Sequence, residues 1–443
     1  MNYSLFLKKH SAKEGNLVEL HTDSQVYEGH IMPSNDQKII VLKLKSGYNM
    51  GIAVERVKQL HKLMAEEAVV GKAKAEKLGK KEGLPTISIL HTGGTIASRV
   101  DYRTGAVFSS FVPEDLMTMF PELGKIANFN SHLISNMWSD DLRFRHFGLI
   151  AEAVAKEIKK GAEGIIIGMG TDNLAVAAAA LSFVLEDLPV PVIIVGAQRS
   201  SDRGSSDAAM NLICAANFIT KSDFAGVAIC MHGSNSDDFC HILPPCKTRK
   251  LHTSARNAFK AVNDIPIAKV DYATGNIEFF KKEYLRKDKK RKLVIKDDFE
   301  DKVGLLKIHI HMVPEQFALY RKMKFKGLVI EGTGLGHTPG HVPNEYAKSH
   351  KKIFSEIARL GKSGCVMVMA SGCINGRVNM NVYDKGQDLM KMGVIQGEDM
   401  LPETAFVKLA WLLGNYGKNE AKALIGRNFR GEITGRTGKE ACL

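Results

Sequence analysis

The stretch Ile87-Ser-Ile-Leu-His-Thr-Gly-Gly-Thr-Ile-Ala-Ser98 constrains the fold more than any other part of the chain. Its β-branched residues run straight into two adjacent glycines, so a strand is expected to end in a sharp turn. The glycines permit positive φ and let a ligand approach the backbone. Thr95 follows them, where the end of a strand can present its hydroxyl to a cleft. Taken alone, Thr92-Gly-Gly-Thr95 reads equally well as a strand-ending turn with no chemistry. A second stretch changes its weight. Gly164-Ile-Ile-Ile-Gly-Met-Gly-Thr-Asp-Asn-Leu174 is again an apolar strand, a glycine turn and the start of a helix, with Thr171 beside Asp172.

The segments around these two turns repeat a strand–turn–helix rhythm. Thr86–Leu90, Gly164–Ile167 and Val190–Val195 read as strands, and Ala151–Lys160, Leu174–Leu185 and Ser206–Thr220 as helices. Such alternation builds a parallel sheet with helices on both faces, and ligands sit beyond the carboxyl ends of its strands. The rhythm restarts with strands at Val303–His309, Gly327–Ile330 and Gly364–Met369 and helices at Glu345–Leu360 and Glu403–Leu413. Residues 1–65 differ. Leu17–Leu20, Val26–Met32, Lys38–Leu44 and Gly51–Val54 are strand-length pieces separated by Asn35-Asp36 and Ser46-Gly47, a pattern suited to a small barrel. The expected organisation is α/β, with a β-barrel-like domain at 1–65 and a solvated linker helix at 66–84. A large catalytic domain at 85–280, a basic linker at 281–299 and a smaller α/β domain at 300–443 follow.

Composition narrows the setting. The 443 residues suffice for two or three domains with a sizeable core. No apolar run reaches the roughly 20 residues needed to span a bilayer, and lysines follow rather than precede the short apolar piece at the N-terminus, the reverse of a signal peptide. Seven cysteines without framework spacing suggest reduced thiols in a cytoplasm. The net charge of +13 points to a polyanionic partner such as nucleic acid. It is concentrated in Lys72–Lys81 and in Lys281–Lys292, where eight basic residues face only Glu283 and Asp288. Each segment alone reads as a solvated linker.

A threonine hydroxyl is a weak nucleophile that needs a base or a nearby cation. Lys250, in Lys250-Leu-His-Thr-Ser254, is a candidate proton acceptor if its surroundings lower its pKa, with Asp172 orienting the amine. The plain alternatives are Asp172 as a helix cap and Lys250 as a surface residue. Cys230, His232, Cys240, His241 and Cys246 fit no tetrahedral zinc signature, so packed thiols and no metal are expected. Gly332-Thr-Gly-Leu-Gly336 lacks the Lys-Ser/Thr of a phosphate loop, so it suggests no nucleotide site.

Together, the Thr-Gly-Gly-Thr strand end, Gly170-Thr-Asp172, Val195-Gly-Ala-Gln-Arg199 and Lys250-x-x-Thr-Ser254 resemble the asparaginase/glutaminase-type amidohydrolases from Thr86 onward. Gly196–Asp207, Arg377-Val-Asn-Met-Asn-Val-Tyr383, Gly397-Glu-Asp-Met-Leu-Pro-Glu-Thr404 and Ser46–Ile52 narrow the resemblance. They are similar to the D-subunit family of archaeal glutamyl-tRNA(Gln) amidotransferases, whose members carry an added N-terminal β module.

The resemblance implies a two-domain asparaginase-like fold and a glutaminase whose ammonia converts Glu-tRNA(Gln) to Gln-tRNA(Gln) on a partner, the amidotransferase E subunit. That partner would bind tRNA(Gln) and use ATP and Mg; this chain itself would need no cofactor and would form a homodimer in the cytoplasm. Thr95 matches the family nucleophile, and Thr171, Asp172 and Lys250 match the activating group. Tyr102 matches a lid tyrosine, and the amide beside Thr171, at Gly170, an oxyanion donor. Met169 and Asn173 stand where the family has His and Thr. Ile134 stands where it has the serine of a substrate loop, so Ser135 is expected to substitute through a shifted register. The alternatives are a stand-alone L-asparaginase and a catalytically inactive tRNA-binding or scaffold protein.

Overall fold

Four strands of alternating apolar and polar residues, Leu17–Thr22, Val26–Met32, Ile39–Leu44 and Asn49–Ala53, form an antiparallel meander at the N-terminus. A fifth, Val57–Lys62, returns to pair with the first, giving one five-stranded sheet. Val18, Leu20, Ile31, Ile40, Leu42 and Ile52 fill its apolar side, and the short helix Tyr3–Lys9 closes it with Tyr3, Phe6 and Leu7. The computed structural model describes residues 2–23, 25–32, 34, 36–44, 49–63, 81–93, 98–100, 107–109, 121–199 and 205–438. The expected linker helix at 66–84 therefore lies largely outside the described residues. Among the described residues no helix is long and apolar enough to cross a membrane.

The large α/β unit is built on an eight-stranded sheet. Its parallel part runs, in spatial order, Asn128–Leu133, Thr86–His91, Gly164–Gly168, Pro191–Val195 and Gly226–His232. Three further strands, Phe239–Leu243, Ala268–Asp271 and Ile277–Phe279, extend it antiparallel. The chain leaves Thr86–His91 toward Asn128–Leu133 on one side and resumes at Gly164–Gly168 on the other. This reversal opens a crevice at the carboxyl ends of the two middle strands, and both glycine turns emerge there. In the helix Leu174–Val184 the consecutive residues Ala177, Ala178, Ala179 and Ala180 are all buried, and their small side chains, spread round the helix, let the sheet and the neighbouring helices approach closely.

The C-terminal unit is a four-stranded parallel sheet, Val303–Lys307, Gly327–Gly332, Val366–Ser371 and Val394–Gln396, in sequence order. Helices Pro314–Lys322 and His350–Lys362 bury Phe317, Ile353, Ile357 and Leu360 against one face. Helix Pro402–Asn415 is apolar on more than one side, and it joins this sheet to Leu174–Val184 in one continuous core. Phe183 and Trp411 stack across that junction with ring centroids 5.4 Å apart.

The basic segment keeps Lys282, Arg286, Lys289, Lys290 and Lys292 exposed, as expected of a solvated stretch, but it is also tied to the large domain. Val294–Ile295 pairs with Leu185–Glu186, and Arg286 forms a bridge with Phe224. Several of its charges find fixed partners: Lys281 meets Asp264, Arg286 meets Asp223, and Lys287 and Arg291 donate to the carbonyls of Ile219 and Leu188. The segment is a strap on the large domain, because some of its cations satisfy carbonyls and carboxylates at the end of helix Ala208–Lys221 and in the neighbouring loops.

Candidate active site

The two glycine turns are brought side by side by strand register. His91 pairs with Gly168 in the parallel ladder, and such neighbouring strands lie about 4.8 Å apart. Thr92 continues the ladder, its amide donating to the Gly168 carbonyl at 3.0 Å. Gly93 has φ +104°, and a side chain there would meet the Met137 carbonyl at 2.6 Å. The loop after Asn128–Leu133 thus lies directly over this turn, with Met137 donating its amide to the Thr92 carbonyl at 3.1 Å. Gly93 is the last described residue before Thr95. Thr95 and Tyr102 lie outside the described residues; on either side of Tyr102 in sequence, Ser98–Val100 pairs antiparallel with Val107–Ser109.

Thr171 and Asp172 leave the second turn, between strand Gly164–Gly168 and helix Leu174–Val184. Across the cleft, a side chain at Gly196 would come within 2.7 Å of the Thr171 methyl, so the absence of one leaves Thr171 its place. Lys250 arrives from outside the eight-stranded sheet, on the separate short hairpin Thr248–Lys250 and Phe259–Ala261. Its ammonium donates to Thr171 Oγ1 at 2.9 Å and to Asp172 Oδ1 at 2.8 Å. Thr171 is buried and the Lys250 side chain is 14% exposed, whereas that of Asp172 is 63% exposed. A carboxylate, an amine and a hydroxyl therefore form a continuous hydrogen-bonded chain with water access at one end. Such a chain can hold the amine charged, or pass a proton from hydroxyl or water to it once it is neutral.

Asp172 does not cap the helix; Asn173 occupies that position, and its side chain bridges instead to the Ser139 carbonyl at 3.1 Å and Asp140 Oδ1 at 3.0 Å. Gly170 backs onto Ser139, where an added Cβ would come within 3.1 Å of the serine side chain. Met169 faces the core and is fully buried among apolar neighbours that include Ile167 and Leu174. Ser135 is half-buried, with its hydroxyl donating to the Thr92 carbonyl at 3.5 Å. It therefore sits beside the first glycine turn. Ser139 and Asp140 carry no motif in the sequence, whereas Gly196 opens the Gly196–Asp207 stretch. Only the glycine after Val195 carried a signal, as a break at the end of an apolar strand.

Among the described residues no group of three or more His, Cys, Asp or Glu side chains is placed to hold a metal ion. Cys230 and Cys240 hydrogen-bond to Asn211 instead, and burial pushes both thiols up in pKa. Burial likewise pushes Cys246, 3.2 Å from the Ser182 hydroxyl, up to about 12.

Comparison with known proteins matches the chain to three family descriptions. Residues 86–285 match "Asparaginase, N-terminal", residues 302–424 match "Glutaminase/Asparaginase C-terminal domain", and residues 12–63 match "GatD N-terminal domain". The glutamyl-tRNA(Gln) amidotransferase D subunit of Pyrococcus furiosus is 44% identical, with 98% of each chain covered. Its counterpart from Methanosarcina mazei is also 44% identical, covering 95% of this chain and 98% of the other. Among solved structures, the thermostable L-asparaginase from Thermococcus kodakarensis superimposes with a TM-score of 0.69 at 26% identity. It covers 79% of this chain and 100% of its own.

Proposed function

The chain belongs to the D-subunit family of glutamyl-tRNA(Gln) amidotransferases, enzymes of asparaginase type, and from that premise we propose that it is the glutaminase of such a complex. Thr95 attacks the side-chain carbonyl of glutamine, and its proton passes to the amide nitrogen, which leaves as ammonia. A glutamyl ester on Thr95 remains. Water then attacks the ester. The Thr171–Asp172–Lys250 chain takes a proton from that water and returns it to the Thr95 oxygen, releasing glutamate. The backbone beside Thr171 at Gly170 stabilises the oxyanion, a contribution of about 2.7–4 kcal/mol for one such donor. Tyr102 closes over the substrate, and Ser135 takes part in binding it.

The observation that carries this reading is the Lys250 ammonium within 2.9 Å of both Thr171 and Asp172, at the crevice where the two glycine turns emerge. The ammonia passes to a partner, the amidotransferase E subunit, which uses ATP and Mg to activate Glu-tRNA(Gln). Two copies of this chain pair as a homodimer in the cytoplasm. The basic surface adds to tRNA affinity without reading sequence.

Ammonia release from glutamine and asparagine, measured for the chain alone and with its partner and Glu-tRNA(Gln), tests the reading. Glutamine hydrolysis that rises only with partner and tRNA is the expected result. Rapid asparagine hydrolysis indifferent to both would make the chain a stand-alone asparaginase. No hydrolysis under any condition would make it a scaffold.

A further inference from the structure

The hairpin that carries Lys250 has only three residues in each strand, Thr248–Lys250 and Phe259–Ala261. A hairpin of this size is marginal by itself in water, yet a group that moves protons must be held to a fraction of an ångström. An extended chain points successive side chains to opposite faces. Thr248 and Lys250 turn toward the large domain. There Thr248 Oγ1 donates to the Pro244 carbonyl at 2.6 Å, and Lys250 reaches Thr171 and Asp172. Lys247 and Arg249 turn the other way, onto the turn and helix start at Gly397–Thr404 of the C-terminal domain.

Each of these two makes a specific pair. Lys247 Nζ lies 2.6 Å from Asp399 Oδ2 and donates to the Asp399 carbonyl at 2.8 Å, and both side chains are fully buried. Desolvation draws the Lys247 pKa below its ordinary value, against the pull of Asp399. The Arg249 guanidinium forks onto Glu403, with Nε 2.9 Å from Oε1 and Nη2 donating to Oε2 at 3.2 Å.

Both ends of the hairpin are tied to the same domain. Thr404 Oγ1 donates to the Cys246 carbonyl at 2.9 Å. Asn263 donates to the carbonyls of Gly376 at 2.9 Å and Asp399 at 3.2 Å, and accepts from the Gly376 amide at 2.7 Å. The Asp399 carboxylate also accepts from the amide of Thr434 at 3.0 Å and from its hydroxyl. Thr434 belongs to the tail beyond residue 424, where the match to the asparaginase C-terminal family ends.

We propose that the Lys247–Asp399 and Arg249–Glu403 pairs form a latch through which the C-terminal domain and its tail set the position of Lys250. Lys247, Arg249, Asp399 and Glu403 are then positioning residues for amide hydrolysis. Two pairs on alternate residues fix both the height and the twist of the strand, so a shift of Gly397–Thr404 against the large domain is carried to Lys250 Nζ. Buried ion pairs contribute little net stability but can hold one arrangement against others, which suits this role. The inference rests on the reading of Lys250 as a reacting group.

The test uses the full chain carrying Arg249→Ala, the apolar double replacement Lys247→Met with Asp399→Leu, or the charge swap Arg249→Glu with Glu403→Arg. Three quantities are measured: kcat and KM for glutamine and asparagine with the partner and Glu-tRNA(Gln) present, the acetylation rate of Lys250 by acetic anhydride followed by mass spectrometry, and the melting temperature. Displacing a proton-transfer group by about 1 Å costs about 100-fold. Arg249→Ala is therefore expected to lower kcat by about 10- to 100-fold, with KM changed less than about twofold and Lys250 acetylated faster. The apolar double replacement is expected to act in the same direction, and the charge swap to restore most of the loss. Wild-type kcat and wild-type Lys250 acetylation in folded Arg249→Ala would overturn the latch, as would a fall in melting temperature with unchanged acetylation. Should the double replacement fail to fold, Arg249→Ala and the swap decide. A wild-type chain that hydrolyses neither amide, alone or with its partner and Glu-tRNA(Gln), sinks the glutaminase reading, while the acetylation rates still decide the latch.

Discussion

Two lysine–aspartate pairs have their lysines three residues apart, one just before the strand Thr248–Lys250 and one at its end, and live in opposite surroundings. Lys247 and Asp399 are fully enclosed, and the carboxylate is further hydrogen-bonded by Thr434. Lys250 meets an Asp172 whose side chain is 63% exposed, and it shares its proton donors with a threonine hydroxyl. An enclosed, saturated pair cannot exchange protons with water, and breaking it leaves a charge stranded in the interior. A pair open at one end costs little to rearrange and can trade protons with a substrate. Burial, rather than residue type, separates the pair proposed to anchor from the pair proposed to react.

The largest effect should come from the open pair. Lys250→Met removes the amine that bridges Thr171 and Asp172, and loss of a positioned proton-transfer group costs about 10²–10⁴-fold. Amide hydrolysis followed by ammonia release should fall by about 10³-fold, with a melting temperature close to wild type. A fall of less than about tenfold would place the chemistry elsewhere. The enclosed pair should behave in the reverse sense. Asp399→Asn strands the Lys247 ammonium and should destabilise the fold by about 3–5 kcal/mol in denaturant titration. A loss under about 1 kcal/mol would show that the pair is not energetically buried.

How much of this could be read along the chain follows from sequence distance. The two glycine turns were legible because β-branched runs, glycines and the following helix are local signals, and their parallel neighbours follow from the strand–helix rhythm. Thr171, Asp172 and Lys250 were named from motifs, and the structure brings these three together. The contact between Lys247 and Asp399 spans 152 residues and leaves no local mark beyond the alternation of charged residues in Lys247-Thr-Arg-Lys250. The strand Asn128–Leu133 was not legible because its residues are half-buried or exposed, with no apolar run to announce it. The basic strap reads as wholly solvated in the sequence because charge density is visible there, while the carbonyls and carboxylates that receive part of it are not.

A buried titratable group under the first turn gives a third setting with which to sharpen the contrast. Burial lowers the pKa of His91 to about 4, and its Nε2 lies 3.0 Å from the Ser131 hydroxyl. The native chain therefore stays neutral at this site where the unfolded chain, at its ordinary value near 6.5, takes up a proton. Fewer protons on the native state means that stability falls as pH drops from about 6.5 to 4, then levels, a loss of about 3 kcal/mol. His241, lowered to about 4 by burial and by Lys260 and Lys269, titrates in the same window. The comparison is therefore between wild type and His91→Gln, whose denaturation midpoints should show a shallower acid slope. Parallel slopes would mean that His91 is protonated in the native state.

The smallest effect belongs to Asp172, and it tests the contrast most directly. Its carboxylate is largely in water, so its attraction for Lys250 is screened, and exposed pairs of this kind contribute about 0–1 kcal/mol. Asp172→Asn should therefore change stability by less than about 1 kcal/mol while lowering kcat. Raising the ionic strength from about 0.1 to 1 M shortens the screening length from about 10 to 3 Å, and should narrow even that stability difference. Asp399→Asn should keep its full cost across the same salt range, because no solvent reaches the pair. If both variants lost their stability effect in salt, the two pairs would share one environment. If neither changed, Asp172 would be held as firmly as Asp399, and exposure would not be what divides the anchoring lysine from the reacting one.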